Sequence, residues 1–465
     1  MKKLLFLILP LFLFIIPIGA FAEGNSIPAI GGIRLEFILF ALTLVGVALF
    51  HKQTFWVAII GLISIFTFKF IFDPEFNIIH HLIGENSMID QLTDKSLRQG
   101  EWSTIVNLLG LLLGFALLAK IFEESGVPDI IPKYLPNGWK GGFVLLVLVF
   151  IISSFLDNIA AAMIGGTIAL VVFKHKVHIG YIAAIVAASN AGGSGSVVGD
   201  TTTTMMWIDG VSPINVLHAY VAAGVALIII AWFGSKQQDK YQRITANAIA
   251  GAKVDWGKLF IVLLILIGAI LSNFLYDMPA LGVWIAIIIG AFIRKTPWGE
   301  IPGAIKGTVF LLCLVTAASL MPVNDLPPAS WLTAFILGFV SAVFDNIPLT
   351  KLCLEQGCYD WGMLAYTVGF GGSMIWFGSS AGVAITNKFT EARNVFQWIT
   401  KGWYVILAYI VGFFVLYLTM GWEPADNKKV KVATDCNCVD KVELSQKQPL
   451  IENVNFTSMG EAENK

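Results

Sequence analysis

The chain has 465 residues, of which 57% are hydrophobic and 13% charged, with a mean hydropathy of +0.77. Charge is about half its usual share in a soluble domain, which excludes a disordered chain, a nucleic-acid-binding protein and an ordinary soluble enzyme. With 30 basic and 31 acidic side chains the net charge is −1, so no bulk attraction to an anionic partner follows.

Lys2-Lys3, an apolar stretch from Leu4 to Gly19, and Ala20-Phe21-Ala22 before Glu23 make up the n-region, h-region and A-x-A site of a signal peptide over residues 1–22. Cleavage after Ala22 is expected, with an uncleaved first span as the alternative. Either way the chain from Glu23 starts outside. Apolar runs long enough to cross a bilayer fall at about 33–50, 54–72, 104–123, 179–208, 213–234, 258–276, 280–293, 307–322, 360–388 and 402–420. Two further apolar regions, 141–173 and 331–357, are too long for one span and carry an Asp-Asn pair in the middle. Each reads as a re-entrant helical hairpin. The expected fold is therefore an all-α polytopic membrane protein over residues 23–420. Residues 421–465 form a polar tail whose composition does not support folding alone. Its Cys436 and Cys438 offer two metal ligands, short of a complete site, and no cofactor is expected. Cys313, Cys353 and Cys358 lie in apolar segments, where a thiol behaves as a small hydrophobe.

Short loops rich in Lys and Arg are expected to be cytoplasmic. With the mature N-terminus outside, the inner loops are His51-Lys52, 124–140, Lys174 to His178, Ser235 to Lys258 and Arg294-Lys295, most of them basic. The acidic 73–102 connection, Asp209 to Ser212, Asp277 to Pro279 and Val323 to Ser330 fall outside, as does the C-terminal tail. This pattern holds only if each Asp-Asn region returns to its starting side. A multi-pass protein of a bacterial cytoplasmic membrane is the expectation.

Ser153-Ser154-Phe155-Leu156-Asp157-Asn158-Ile159-Ala160 resembles Ser341-Ala342-Val343-Phe344-Asp345-Asn346-Ile347-Pro348, 188 residues on. Downstream, Gly192-Gly193 and Gly199 recur as Gly371-Gly372 and Gly378, all 179 residues on. Two matches in the same order suggest a duplication, roughly 54–234 and 258–420, and hairpins opening on opposite sides make the halves inverted. That pattern marks a secondary transporter with its site near the midplane. The glycine-rich stretches Ser189 to Asp200 and Gly369 to Gly382 predict broken helices, tolerated in a membrane only where protein or a polar cavity satisfies the freed backbone. Close helix packing is the other reading of these glycines.

Deep in the expected spans the carboxylates are Asp157, Asp200 and Asp345, with no comparably placed Arg or His. Lys69, Lys120 and Lys306 lie close enough to span ends to snorkel, and Lys351 and Glu355 are expected to pair or to face the mouth of the outer hairpin. An intramembrane acid is expensive and points to function. Acids without a central Arg favour a cation, and Asn158, Asn190, Asn346, Thr201 to Thr204, Ser379 and Ser380 add oxygen ligands suited to a hard one. Burial favours the neutral carboxyl, so a proton and a sodium ion are expected to compete for one carboxylate, which is sufficient for antiport. The structural alternative is that Asp157 and Asp345 cap the second arm of each hairpin. Asp200 has Ser379 as its repeat counterpart and so breaks the symmetry.

The F-x-D-N hairpin tip together with Ser189 to Ile208, S-N-A-G-G-S-G-S-V-V-G-D-T-T-T-T-M-M-W-I, resembles NhaD-type sodium/proton antiporters of the ion transporter superfamily, which also contains arsenite permeases and divalent-anion/sodium symporters. The resemblance covers roughly 33–420. It implies a scaffold domain, a transport domain holding both hairpins and both broken helices, a homodimer and elevator-like alternating access. It further implies that Asp157, Asn158, Asn190, Asp200, Thr201, Thr202, Asp345 and Asn346 form the site for sodium or lithium and the proton. The second broken helix departs from the first in having no acid. A sodium-coupled carrier of arsenite, citrate or another dicarboxylate is the competing reading, and a non-transporting scaffold is a third.

Overall fold

The computed structural model describes residues 28–50, 53–244 and 253–427. The signal segment expected at 1–22, the His51-Lys52 loop and Cys436 and Cys438 lie outside the described residues. Among the described residues the protein is helical apart from a two-stranded antiparallel ladder, Ala29–Ile30 with Ile33–Arg34. Its two-residue turn, Gly31-Gly32, needs positive φ at both positions (60° and 82°), which glycine adopts without penalty.

Among the described residues six helices have the length and composition to cross a membrane: Thr54–Phe72, Trp102–Glu123, Pro213–Tyr241, Trp256–Tyr276, Trp298–Ser319 and Trp403–Met420. Their bounds lie close to the runs expected from hydropathy. Large apolar side chains project outward from this set, Phe274 at 79% exposure and Leu418 at 80%, as lipid-facing residues must. The protein is an all-α, multi-pass membrane protein. Helix ends follow local chemistry: Asp255 caps Trp256–Tyr276 by accepting from the Gly257 and Lys258 amides, and Asp277 in the left-handed region (φ 50°) turns the chain into Pro279–Ile293.

Regions 141–173 and 331–357 are each two helices joined by a short turn, Trp139–Ser153 with Asn158–Val172 and Trp331–Ser341 with Asn346–Gln356. Regions 179–208 and 360–388 are each broken, into Ile179–Ser194 and Thr201–Ile208, and into Trp361–Gly371 and Ser380–Lys388. The first half of each broken helix packs on the first arm of its own hairpin. The second half packs on the second arm of the other hairpin. Ile179–Ser194 and Trp361–Gly371 also touch each other, and every residue from Gly180 to Ser194 and from Trp361 to Gly371 is buried. A helix apolar on every face is a central one, so these two form the middle of the molecule. A smaller apolar cluster joins Leu35–Leu49 and Thr54–Phe72 to Ile301–Ser319.

Four features differ from expectation. The 73–102 connection contains two short helices, Ile78–Ile83 and Met88–Thr93, each capped by a side chain (Asn77 and Ser87) and too short to show apolar periodicity. Lys69 does not snorkel alone: its Nζ is 3.3 Å from Oε1 of the fully buried Glu36 and 3.1 Å from Asp73 Oδ2. Cys358 is disulfide-bonded, whereas Cys313 and Cys353 are free buried thiols. The first residues of the tail are pinned. The Glu423 amide donates to Asp360 Oδ2, the Ala425 amide to the Tyr359 carbonyl, and the buried Asn427 Nδ2 to the Leu354 carbonyl and Asp209 Oδ2.

Candidate ion-binding site

The three intramembrane aspartates share one local role. Asp157 Oδ2 accepts from the Ile159 amide at 3.2 Å, Asp200 Oδ1 from the Thr202 amide at 3.1 Å and Asp345 Oδ1 from the Ile347 amide at 3.0 Å. Each is thus the N-cap of the helix that follows, and Ser379 caps Ser380–Lys388 in the same way through the Gly382 amide. Capping was anticipated for Asp157 and Asp345 but not for Asp200. A cap uses one carboxylate oxygen and fixes the other. For Asp345 that second oxygen accepts from the Ser380 hydroxyl at 3.2 Å, and Asp157 is within hydrogen-bonding reach of the Thr201 hydroxyl.

Asp200 is the exception. It is 2% exposed, and its Oδ2 has no hydrogen-bond partner among the described residues. The Thr202 hydroxyl, also buried, lies close enough to act on the carboxylate yet makes no bond of proper geometry. Thr203 and Thr204 are committed elsewhere, their hydroxyls donating to the carbonyls of Asp200 and of Ser196 or Val197. Of the four threonines, Thr201 and Thr202 are the two turned to the carboxylates. Asp200 also feels the charges of Asp157 and Asp345, so it lies near both hairpin tips.

Asn158, Asn190 and Ser373 form a buried chain: Asn158 Nδ2 donates to Asn190 Oδ1 at 3.1 Å, and Asn190 Nδ2 donates to Ser373 Oγ at 2.9 Å. This chain links the first hairpin to both broken helices. Asn346 is buried at the second tip. The glycines have two uses. A Cβ on Gly192 or Gly371 would run into the Phe150 carbonyl or the Gly338 backbone, so these two let a central helix approach its hairpin. A Cβ on Gly193 would lie 2.6 Å from the Gly199 carbonyl oxygen, and one on Gly372 2.7 Å from that of Gly378. The latter pairs close the breaks themselves. The same contacts recur at both repeat positions, as do the bonds Ser153 Oγ to the Ser189 carbonyl and Ser341 Oγ to the Val368 carbonyl, both 2.6 Å.

Among the described residues no three His, Cys, Asp or Glu side chains gather closely enough to hold one metal ion. Asp157, Asp200 and Asp345 are neighbours, each with its own hydroxyl or amide set, and do not share one cage. The sequence reading passed over Ser373, whose partner Asn190 lies 183 residues away. It also placed Glu101 and Asp209 in outer loops. Glu101 is buried against Lys351, its Oε2 2.7 Å from Lys351 Nζ, and Lys351 also meets Glu355 at 2.7 Å as anticipated. No local pattern announces the contact with Glu101. On the opposite side a cleft of about 520 Å³ lies between the end of Trp102–Glu123 and the second arm of the first hairpin, with Glu123, Glu124, Asp129 and Glu300 and the basic Lys120 and Lys388 on its walls.

No family model matches the chain. Among curated proteins it is 28% identical over 326 residues to Sodium/proton antiporter 1 of Arabidopsis thaliana, covering 60% of this chain and 54% of that protein. It is 26% identical over 345 residues to Sodium/proton antiporter 2 of the same plant, covering 64% and 78%. With the Na(+)/H(+) antiporter NhaD of Vibrio cholerae it shares 24% identity over 385 residues, covering 67% and 78%. The match thus spans about half the length of the first of these relatives. The resemblance carried by Ser189 to Ile208 is borne out, and this chain is a homologue of proteins named sodium/proton antiporters, NhaD among them.

Proposed function

We propose that this protein exchanges sodium or lithium for protons across the membrane, with Asp157, Asp200 and Asp345 as the carboxylates that exchange them. The observation that carries the reading is the buried Asp200 Oδ2 without a partner. A carboxylate taken out of water is costly unless something compensates it, and either a proton or a sodium ion does so. The two therefore compete for one oxygen. An oxygen donor for a hard cation stands beside it, the Thr202 hydroxyl.

The fixed geometry gives the competition a direction. Because Asp200 is held by its cap, its free oxygen stays at the break and does not follow the ion outward. If the halves are inverted repeats, as the recurring contacts support, movement of hairpins and broken helices against the outer helices exposes this site to one side at a time. In the expected orientation the cleft lined by Glu123, Glu124, Asp129, Glu300, Lys120 and Lys388 is on the cytoplasmic side, and the Glu101–Lys351 contact is on the other. The first hairpin, both broken helices and the second hairpin would move as the transporting unit, in a homodimer of the kind the resemblance implies.

A sodium-coupled anion carrier fits less well. Such a carrier would hold its anion at half-helix N-termini, and three of these ends are already occupied by the chain's own carboxylates. Proteoliposomes separate the two readings. A proton gradient that collapses on adding sodium, with no organic or arsenic anion present, is the expected result; a strict requirement for such an anion would sink the proposal.

A further inference from the structure

Two observations meet at one glycine. Asp200 Oδ2 is buried and has no partner among the described residues. A Cβ built on Gly369, in the central helix Trp361–Gly371, would lie 3.3 Å from that oxygen and 3.8 Å from Ser194 Cβ, with no other atom within 4 Å beyond its chain neighbours and its own helix backbone. Gly369 is therefore the wall that the free oxygen faces. Its backbone is ordinary helix with no positive φ, so no turn or strain calls for glycine here. The helix itself would favour Ala. Gly371, two residues on, is explained by the approach to Gly338; Gly369 has no such explanation.

The repeat sharpens the point. The spacing that relates Gly192 to Gly371 relates Asn190 to Gly369. In the first half this position supplies an amide, which bonds to Asn158 and to Ser373. In the second half it supplies no side chain, on the side where Asp200 stands in place of Ser379. The half that lacks the acid thus also lacks the side chain that would crowd it.

We propose that Gly369 sets ion selectivity, by keeping open beside Asp200 Oδ2 the volume that a dehydrated sodium ion occupies. This inference rests on the sodium/proton reading. A methyl group 3.3 Å from the oxygen is tighter than ordinary van der Waals contact at 3.4–4 Å, and it fills the space before an ion arrives. The smaller lithium ion tolerates that loss better than sodium does. Gly369 is a positioning residue, since it makes no bond to the ion.

The test is Gly369→Ala, with Gly369→Ser beside it, in proteoliposomes titrated separately with sodium and with lithium, together with melting temperatures in sodium-free buffer and in sodium. The expected result is an apparent KM for sodium raised about tenfold, the low end of what one extra methyl group changes in a fitted pocket. The KM for lithium rises less, the sodium-free melting temperature is retained and the sodium-induced rise in melting temperature is diminished. Unchanged KM values for both ions would overturn the inference. Equal increases for both ions with a lowered sodium-free melting temperature would overturn it too, by assigning Gly369 to packing alone. Absence of sodium-driven proton flux in the wild-type protein is a different failure, that of the antiport reading itself.

Discussion

Lys351→Met probes the one buried cation in the second hairpin. Lys351 is fully buried, with its Nζ 2.7 Å from Glu101 Oε2 and 2.7 Å from Glu355 Oε1, and those side chains are only 7% and 12% exposed. Asp209 adds a third negative charge acting on the same ammonium. Methionine fills nearly the same volume, so packing changes little. What changes is that Glu101 and Glu355 each lose the ammonium that lies 2.7 Å away. Removing one partner of a buried pair costs about 3–5 kcal/mol. At about 2 °C per kcal/mol, the figure for large domains, the melting temperature in detergent falls by roughly 6–10 °C. Glu101→Gln in the Lys351→Met background should recover part of the loss, since the two sites share one interaction and are not additive. Melting of the four proteins by tryptophan fluorescence gives the cycle. A loss under about 1 kcal/mol for Lys351→Met, as for a solvent-exposed pair, would refute the account of this contact as a dry seal between Trp102–Glu123 and the second hairpin.

Asp200→Asn keeps a side-chain oxygen to accept from the Thr202 amide and so preserves the cap; it should abolish sodium-dependent proton flux while leaving melting behaviour near wild type, and near-normal flux would remove Asp200 from the site. Ser153→Ala and Ser341→Ala each delete a buried 2.6 Å bond to a backbone carbonyl. Each should cost about 1 kcal/mol, by equal amounts if the repeat positions are equivalent; a denaturant or thermal series measures both. A single cysteine placed between Lys174 and His178 should resist an impermeant external thiol reagent in intact cells, and labelling there would invert the orientation.

The local features of this fold could be read from the chain. Hydropathy and length located the spans, and glycine density located both breaks, because each depends on residues within one helix. The cap role of Asp157 and Asp345 was also local, although the same reasoning applied to Asp200 would have placed it at the start of Thr201–Ile208. The pairing of Glu101 with Lys351, 250 residues apart, was out of reach. It depends on which helices pack together, and Glu101 looks like any loop acid beside Trp102. The burial of Asn427 and the bond between Asn190 and Ser373 were hidden for the same reason. A polar residue at the edge of a span has one local signature whether it meets water or a distant side chain.

The central claim is that sodium and the proton compete for the same carboxylates. It is tested most directly by adding sodium to the purified protein in weakly buffered detergent solution, with no membrane and no gradient, while an indicator records free protons. The account predicts that sodium releases protons in proportion to site occupancy, that potassium at equal ionic strength does not, and that Asp200→Asn loses most of the release. Sodium binding seen by calorimetry without any proton release would contradict it.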